Sequence, residues 1–301
     1  APDAEHRRDA APHFDAALDD LGAPDAQVDD LGPPDAAPPD PLACNGHRAL
    51  CDRRYDEVAV VTTHNAFANI ARRYLAPNQR FDLADQLRDG VRGLMLDTYD
   101  QDGVAYLCHG NCDFGERPLI DGLRDIGDFL DADPRAVVSL IFEAYITPEA
   151  TEAAFAEAGL IDRLHTQAPG EPWPTLGEMI AADRRLVVFT DRPGGPAWHH
   201  DVWAHAVETP FSVQDVADFD CRPNRGTVGN PLLILNHFIT DPVAFEHRAA
   251  EANAAEILGP RALACRDAFG QQPVFVTVDF YDRGAAFAVV DQLNALPSSQ
   301  K

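Results

Sequence analysis

The chain has 301 residues, 46% of them hydrophobic, and a formal charge of −25 at neutral pH. That length holds one large domain or two small ones, with enough apolar residues for a sizeable core. With no basic surplus to displace counterions, nucleic acid is disfavoured as a partner, and no run approaches the ~18 apolar residues of a membrane span.

Residues 1–43 hold ten Asp and one Glu against two Arg, a local charge of −9 that leaves −16 for the other 258 residues. Asp19-Asp20-Leu21-Gly22-Ala23-Pro24-Asp25-Ala26 nearly repeats as Asp29-Asp30-Leu31-Gly32-Pro33-Pro34-Asp35-Ala36. Such low complexity offers too little apolar surface to fold, and its prolines and like charges favour an extended linker or stalk. The chain begins at Ala1 with no hydrophobic leader, and the expectation is that a leader has been removed.

Residues 44–301 read as one folded domain. Strands are expected at 57–62, 93–97, 104–108, 136–142, 186–190, 206–211, 232–236 and 274–280. Helices are expected at 82–89, 121–131, 148–157, 174–182, 242–255, 258–268 and 284–296. Asp191-Arg192-Pro193-Gly194-Gly195-Pro196 breaks the chain after the fifth strand. Many strands are continuous apolar runs, as parallel strands covered on both faces require. Strands alternating with helices over ~260 residues give an α/β fold, a (β/α)8 TIM-type barrel, regular or distorted. The six cysteines allow fifteen pairings. Two close pairs and one distant pair suggest Cys44–Cys51, Cys108–Cys112 and Cys221–Cys265, hence an oxidising compartment and a secreted, cell-surface or periplasmic location. The rival reading, a metal site on Cys108 to Cys112, lacks a second thiol pair at zinc spacing.

Barrel sites lie at the C-terminal strand ends. His64, Asp97, His109, Glu143, Asp191, His237 and Asp279 all fall there in this reading. Two histidines and a carboxylate at successive strand ends suit acid–base work on a phosphodiester: one imidazole takes a proton from the attacking hydroxyl, and the other gives one to the leaving oxygen. Arg192 is the best-placed cation for a phosphate or for hydroxyls. His237 suits the pocket wall, or equally a satisfied structural role. Arg92 is expected to pair with an acid on a neighbouring helix. His199 and His200, between Trp198 and Trp203, are expected on a surface loop.

Eight stretches carry a resemblance: Cys44-Asn45-Gly46-His47, Leu50 to Asp56, Thr63-His64-Asn65-Ala66-Phe67, Gly90 to Asp97, Cys108-His109-Gly110-Asn111-Cys112, Val137 to Glu143, Leu235-Asn236-His237-Phe238, and Val278-Asp279-Phe280-Tyr281. Their order and spacing resemble the X-domain of phosphatidylinositol-specific phospholipase C, in its secreted, cysteine-containing form. The resemblance covers nearly everything after residue 43. It implies the same barrel, with His64 as general base, His109 as general acid, Asp279 orienting the base, and a phospholipid substrate at a membrane surface. It also implies a cation for the transition-state charge. One branch of the family uses an Arg on the second strand; the other uses Ca2+. Here Asp97 stands at the position of that Arg, and Asn65, Asp97 and Glu143 match three calcium ligands. Met95 departs from the fourth, usually Glu. The alternative is that Asp97 hydrogen-bonds a histidine and no metal binds.

Two other readings compete. A glycerophosphodiesterase or sphingomyelinase D-like enzyme would show His-Arg-Gly and Glu-x-Asp, where this chain has His64-Asn65-Ala66 and Met95-Leu96-Asp97. A catalytically inactive extracellular binding module gives no physical reason to retain this set of titratable groups. A monomer is expected.

Overall fold

The computed structural model describes residues 40–240 and 243–296. The expected linker 1–43 lies outside the described residues except for its last four. Of these, Ala43 is buried, and its carbonyl accepts from Arg135 Nε at 2.8 Å.

Among the described residues ten strands follow one another: β1 (Val60–Thr63), β2 (Gly93–Gln101), β3 (Val104–Leu107), β4 (Arg117–Pro118), β5 (Val138–Ala144), β6 (Leu186–Thr190), β7 (His199–Asp201), β8 (Ala206–Glu208), β9 (Leu232–His237) and β10 (Pro273–Val278). Eight are parallel and curl in the order β7-β6-β5-β2-β1-β10-β9-β8. Among the described residues no ladder joins β7 to β8; the single turn Val202–His205 connects them. The fold is the expected α/β TIM-type barrel, distorted by this open seam.

Alternation along each strand builds two cores. Leu94, Leu96, Leu140, Phe142 and Val188 point outward and pack with Leu123, Ile126 and Phe155 of the surrounding helices. Ile141, Val187, Phe189, Ile234 and Phe275 point inward and pack with Tyr55 and Trp173. Covered on both faces, β6 is buried at all five positions. Gly93 pairs with Thr62, and a Cβ there would lie 2.2 Å from Thr62 Oγ1, so β1 and β2 meet only around glycine.

The helices lie close to their expected spans: Leu83–Arg88, Leu119–Ala132, Pro148–Glu157, Leu176–Ala181, Glu246–Ala252, Ala255–Phe269 and Ala286–Ala295. Thr147 caps the third through Ala150 N, with Pro148 opening the helix, and Thr175 and Glu178 form a capping box on the fourth.

Two expectations need correction. Segment 104–108 is not a barrel strand. β2 continues past its pairing with β5 and turns at Asp102-Gly103, both at positive φ, and β3 returns antiparallel along Thr98–Gln101. Asp-Gly is a hairpin signal. The barrel strand in its place is β7, so His199 and His200 are buried in the sheet rather than set on a surface loop, and Trp198 is buried beside them. Arg92 pairs with Asp133, just past the helix Leu119–Ala132, at 3.3 Å.

All three disulfides form as suggested: Cys44–Cys51, Cys108–Cys112 and Cys221–Cys265.

Candidate active site

β1 ends at Thr63, and His64 N donates to Val278 O of β10 at 3.0 Å. Asn65 takes the left-handed region (φ 44°), which asparagine tolerates better than most residues, and turns the chain across the barrel mouth. Gln79 then clamps the two strand ends, donating to His64 O at 2.8 Å and Val278 O at 3.1 Å.

His64 Nδ1 lies 2.9 Å from Asp279 Oδ1, and Asp279 is 3% exposed. Asn78 Nδ2 donates to the same carboxylate oxygen at 2.9 Å. The carboxylate accepts from Nδ1–H, so Nε2 of His64 carries the lone pair that can take a proton. The imidazole stacks on Phe238 with centroids 3.8 Å apart and planes 8° from parallel.

His109 follows β3. The hairpin carries the chain up beyond the barrel and brings it back, and Cys108 and Cys112 close the five-residue loop that presents His109. Its Nδ1 lies 3.5 Å from Asn65 Nδ2, and it lines a cleft of about 320 Å³ together with His64 and Asp279. Burial and then the neighbouring His64 hold its pKa below the usual histidine value, against the opposing pull of Glu143 and Asp279.

A larger cleft of about 580 Å³ opens on the other side of His64. Met95 and Asp97, two apart on β2, both point into it. Glu143 of β5 stands beside Asp97 in register, and Asp191 accepts from Ala144 N at 2.9 Å. Burial, then Glu143 and Asp191, push the Asp97 carboxyl well above the usual range; Asp191 is raised by burial and Glu143. Among the described residues the Asp97 carboxylate has no hydrogen-bond partner, so it bonds neither histidine. Asn65, Asp97 and Glu143 line one cleft with hard oxygen donors; Glu143 accepts from Tyr145 Oη at 2.5 Å while Asp97 faces it unbonded, a chemistry that suits a hard cation. Among the described residues no group of three or more His, Cys, Asp or Glu is disposed to hold a metal by itself, and Met95 contributes no carboxylate.

The far wall was not legible in the sequence. Glu208, 2% exposed, accepts from both Nε and Nη2 of Arg225, from Asn224 Nδ2 at 2.8 Å and from Asn236 Nδ2 at 2.9 Å. The Arg225 guanidinium sits between Trp203 and Phe211, 4.6 and 4.5 Å from the ring centroids. Gly226 makes this possible: at φ 80°, a Cβ there would lie 2.1 Å from Ala206 O. The sequence signal, Asn224-Arg225-Gly226, reads only as a turn.

Two expected substrate contacts are elsewhere. Arg192 does not line the cleft; it is exposed, with its guanidinium 4.5 Å above the Tyr145 ring. His237 is fully buried, bonded through Nε2 to Ala252 O at 2.8 Å and through Nδ1 to Arg261 at 2.8 Å. Alternation explains it: Asn236 points into the cleft, so its neighbour His237 faces the outer helices.

The family model described as PI-PLC X 1 matches residues 50–294. The chain belongs to the PI-PLC X family. A PI-PLC X domain-containing protein of Arabidopsis thaliana is 31% identical over 80% of this chain and 62% of its own length. In Arthroderma benhamiae, an uncharacterized secreted protein is 29% identical over 85% of this chain and 65% of its own length, and PI-PLC X domain-containing protein 1 is 29% identical over 85% and 90%. This PI-PLC X chain thus spans under two thirds of the first two relatives. Among solved structures, phosphatidylinositol-specific phospholipase C of Staphylococcus aureus shares the fold, with TM-scores of 0.55 and 0.57 in two structures. Both are 14% identical over 82% of this chain and 95% or 94% of theirs.

Proposed function

We propose that this PI-PLC X protein is an exported phosphodiesterase that cleaves phosphatidylinositol, or a closely related phosphodiester lipid, to diacylglycerol and a cyclic inositol phosphate. The observation that carries the reading is the His64–Asp279 pair at 2.9 Å, opening with His109 into one cleft at the barrel mouth. Export is supported by the three disulfides.

His64 Nε2 takes the proton of the inositol hydroxyl beside the phosphate, and Asp279 stabilises the imidazolium that results. The hydroxyl oxygen bonds to phosphorus, the bond from phosphorus to the glycerol oxygen breaks, and His109 gives that oxygen its proton. Water opens the cyclic product with the two roles exchanged. The lowered pKa of His109 leaves it largely neutral in the free protein at pH 7. A bound phosphate anion nearby favours its charged form, so substrate and acid proton load together.

Asn65, Asp97 and Glu143 are the residues that would hold Ca2+, with water completing the shell. Bound there, the ion would supply positive charge to stabilise the charge that develops on the phosphate. Arg225, Glu208 and Asn236 offer donors and acceptors to the ring hydroxyls. The test is release of diacylglycerol and cyclic inositol phosphate from phosphatidylinositol vesicles, with Ca2+ and with excess chelator. Turnover lost on chelation and in His64→Ala or His109→Ala is expected. Full activity in either variant overturns the acid–base scheme, and turnover indifferent to chelation overturns the calcium site.

A further inference from the structure

Asn78 carries no step of the scheme above, yet it touches both halves of the site. It is 6% exposed, lies in the segment between β1 and the helix Leu83–Arg88, and lines the smaller cleft with His64, His109 and Asp279. Its backbone is held on both sides: Asn78 N donates to Ala68 O, and Phe280 N donates to Asn78 O, each at 2.8 Å. The next residue, Gln79, clamps the ends of β1 and β10. One junction therefore sets the backbones of His64, Asn78 and Asp279 together.

The direction of each hydrogen bond follows from Asp279. A carboxylate only accepts, and its Oδ1 already takes Nδ1–H of His64 at 2.9 Å. Asn78 must turn Nδ2 toward that oxygen, and does so at 2.9 Å. The 3.3 Å between Asn78 Nδ2 and His64 Nδ1 is the spacing of two donors around one acceptor. With Nδ2 so placed, Oδ1 of Asn78 faces the other way and accepts from Asn65 Nδ2 at 3.3 Å. That turns Oδ1 of Asn65, which accepts from no donor among the described residues, to the wall of the larger cleft with Asp97 and Glu143. The next distance, Asn65 Nδ2 to His109 Nδ1, is 3.5 Å, too long to fix the ring of the acid.

We propose, resting on the acid–base and calcium reading above, that Asn78 is the positioning residue that joins the base to the cation site. One end of its amide holds the Asp279 carboxylate against His64. The other end turns the Asn65 carbonyl oxygen toward Asp97 and Glu143. An apolar side chain of similar size would fill the space and serve neither partner. Asn65 freed from Asn78 can flip its amide, and an N–H in place of the oxygen repels a cation.

The experiment compares wild type, Asn78→Leu, and Asn78→Leu combined with Asn65→Ala or with Asp279→Asn, with melting temperature as the check on folding. Calorimetric titration with Ca2+, without lipid, is expected to show affinity falling about tenfold or more in Asn78→Leu. In the Asn65→Ala background the same change costs nothing further, because the oxygen it orients is gone. On phosphatidylinositol at saturating Ca2+, kcat falls about tenfold or more with KM unchanged. Added to Asp279→Asn, Asn78→Leu costs less than it does alone. A residue that only stabilises the fold gives losses that multiply in both cycles. Multiplied losses overturn the proposal, and so do wild-type affinity and kcat in Asn78→Leu. One further measurement needs no variant, lipid or metal. In wild type alone, the side-chain amide protons of Asn65 and Asn78 are expected to be ordered and slow to exchange by nuclear magnetic resonance; exchange at the solvent rate overturns the link. With those amides ordered, absence of turnover overturns the enzymatic reading alone, and absence of Ca2+ binding the calcium site alone.

Discussion

Asp279→Asn tests the centre of the proposed chemistry. The side chain is 3% exposed, and its Oδ1 accepts from His64 Nδ1–H and Asn78 Nδ2, both at 2.9 Å. Asparagine keeps the shape and one acceptor, so the fold should survive. It removes the charge that stabilises His64 once the ring has taken a proton. A hydrogen bond to a charged group contributes about 1.5–3 kcal/mol, which is about 10- to 150-fold in kcat. If the new amide instead turns its N–H toward His64, Nδ1 becomes the acceptor and the proton moves to Nε2, where the base is needed. In the serine-protease triad that change of tautomer costs about 10⁴-fold. The expected loss therefore lies between these limits, with KM little changed because Asp279 touches the histidine rather than the substrate. The assay is initial rate against phosphatidylinositol concentration at fixed vesicle surface, with melting temperature as the control. A kcat within about threefold of wild type would refute the reasoning.

Other expectations separate structural from functional residues. His237→Leu should leave kcat unchanged but cost about 2–4 kcal/mol in denaturant unfolding, since it strands the Arg261 donor and the Ala252 carbonyl; a selective loss of turnover would restore His237 to the site. Arg225→Gln should raise KM for phosphatidylinositol about tenfold or more, while Arg192→Gln, exposed over Tyr145, should change it less than about twofold; the reverse ranking would restore the original assignment. Stability should fall in acid. Burial, then neighbouring His205, His165 and His199, push His200 down to about 4, and burial with Arg261 pushes His237 down to about 3. An unfolded histidine titrates near ~6.5, so between that pH and these values the unfolded chain binds more protons and unfolding is favoured. The expected cost is about 3 kcal/mol for His200 and about 5 kcal/mol for His237 by the acid end of each window. Denaturant midpoints flat between pH 7 and pH 4 would contradict it.

Much of the site was legible because it follows local chain signals. Thr63-His64-Asn65, Met95-Leu96-Asp97 and Glu143 each close an apolar run, and a parallel strand puts its last residues at the catalytic end whatever surrounds it. The disulfide pairing was legible from cysteine spacing. The sequence suggests a barrel strand before His109, whereas a hairpin signalled by Asp102-Gly103 returns it to the mouth. Of the two roles the sequence offers His237 equally, the fold selects the structural one, because alternation turns it outward beside Asn236. The sequence favours Arg192 because it follows a strand, while Arg225 reaches the cleft from a turn.

The sequence by itself determined the alternation of strands and helices, the order of histidines and carboxylates at their ends, the oxidised cysteines and the acidic charge. These depend on neighbours a few residues apart, where the period of burial and the turn residues act directly. Only the tertiary structure decided the open seam between β7 and β8, the inward face of Asn236 and the Glu208–Arg225 wall. Each of these joins segments distant in sequence. Their contact is set by how eight strands tilt and curl around a shared core, and no local pattern encodes that.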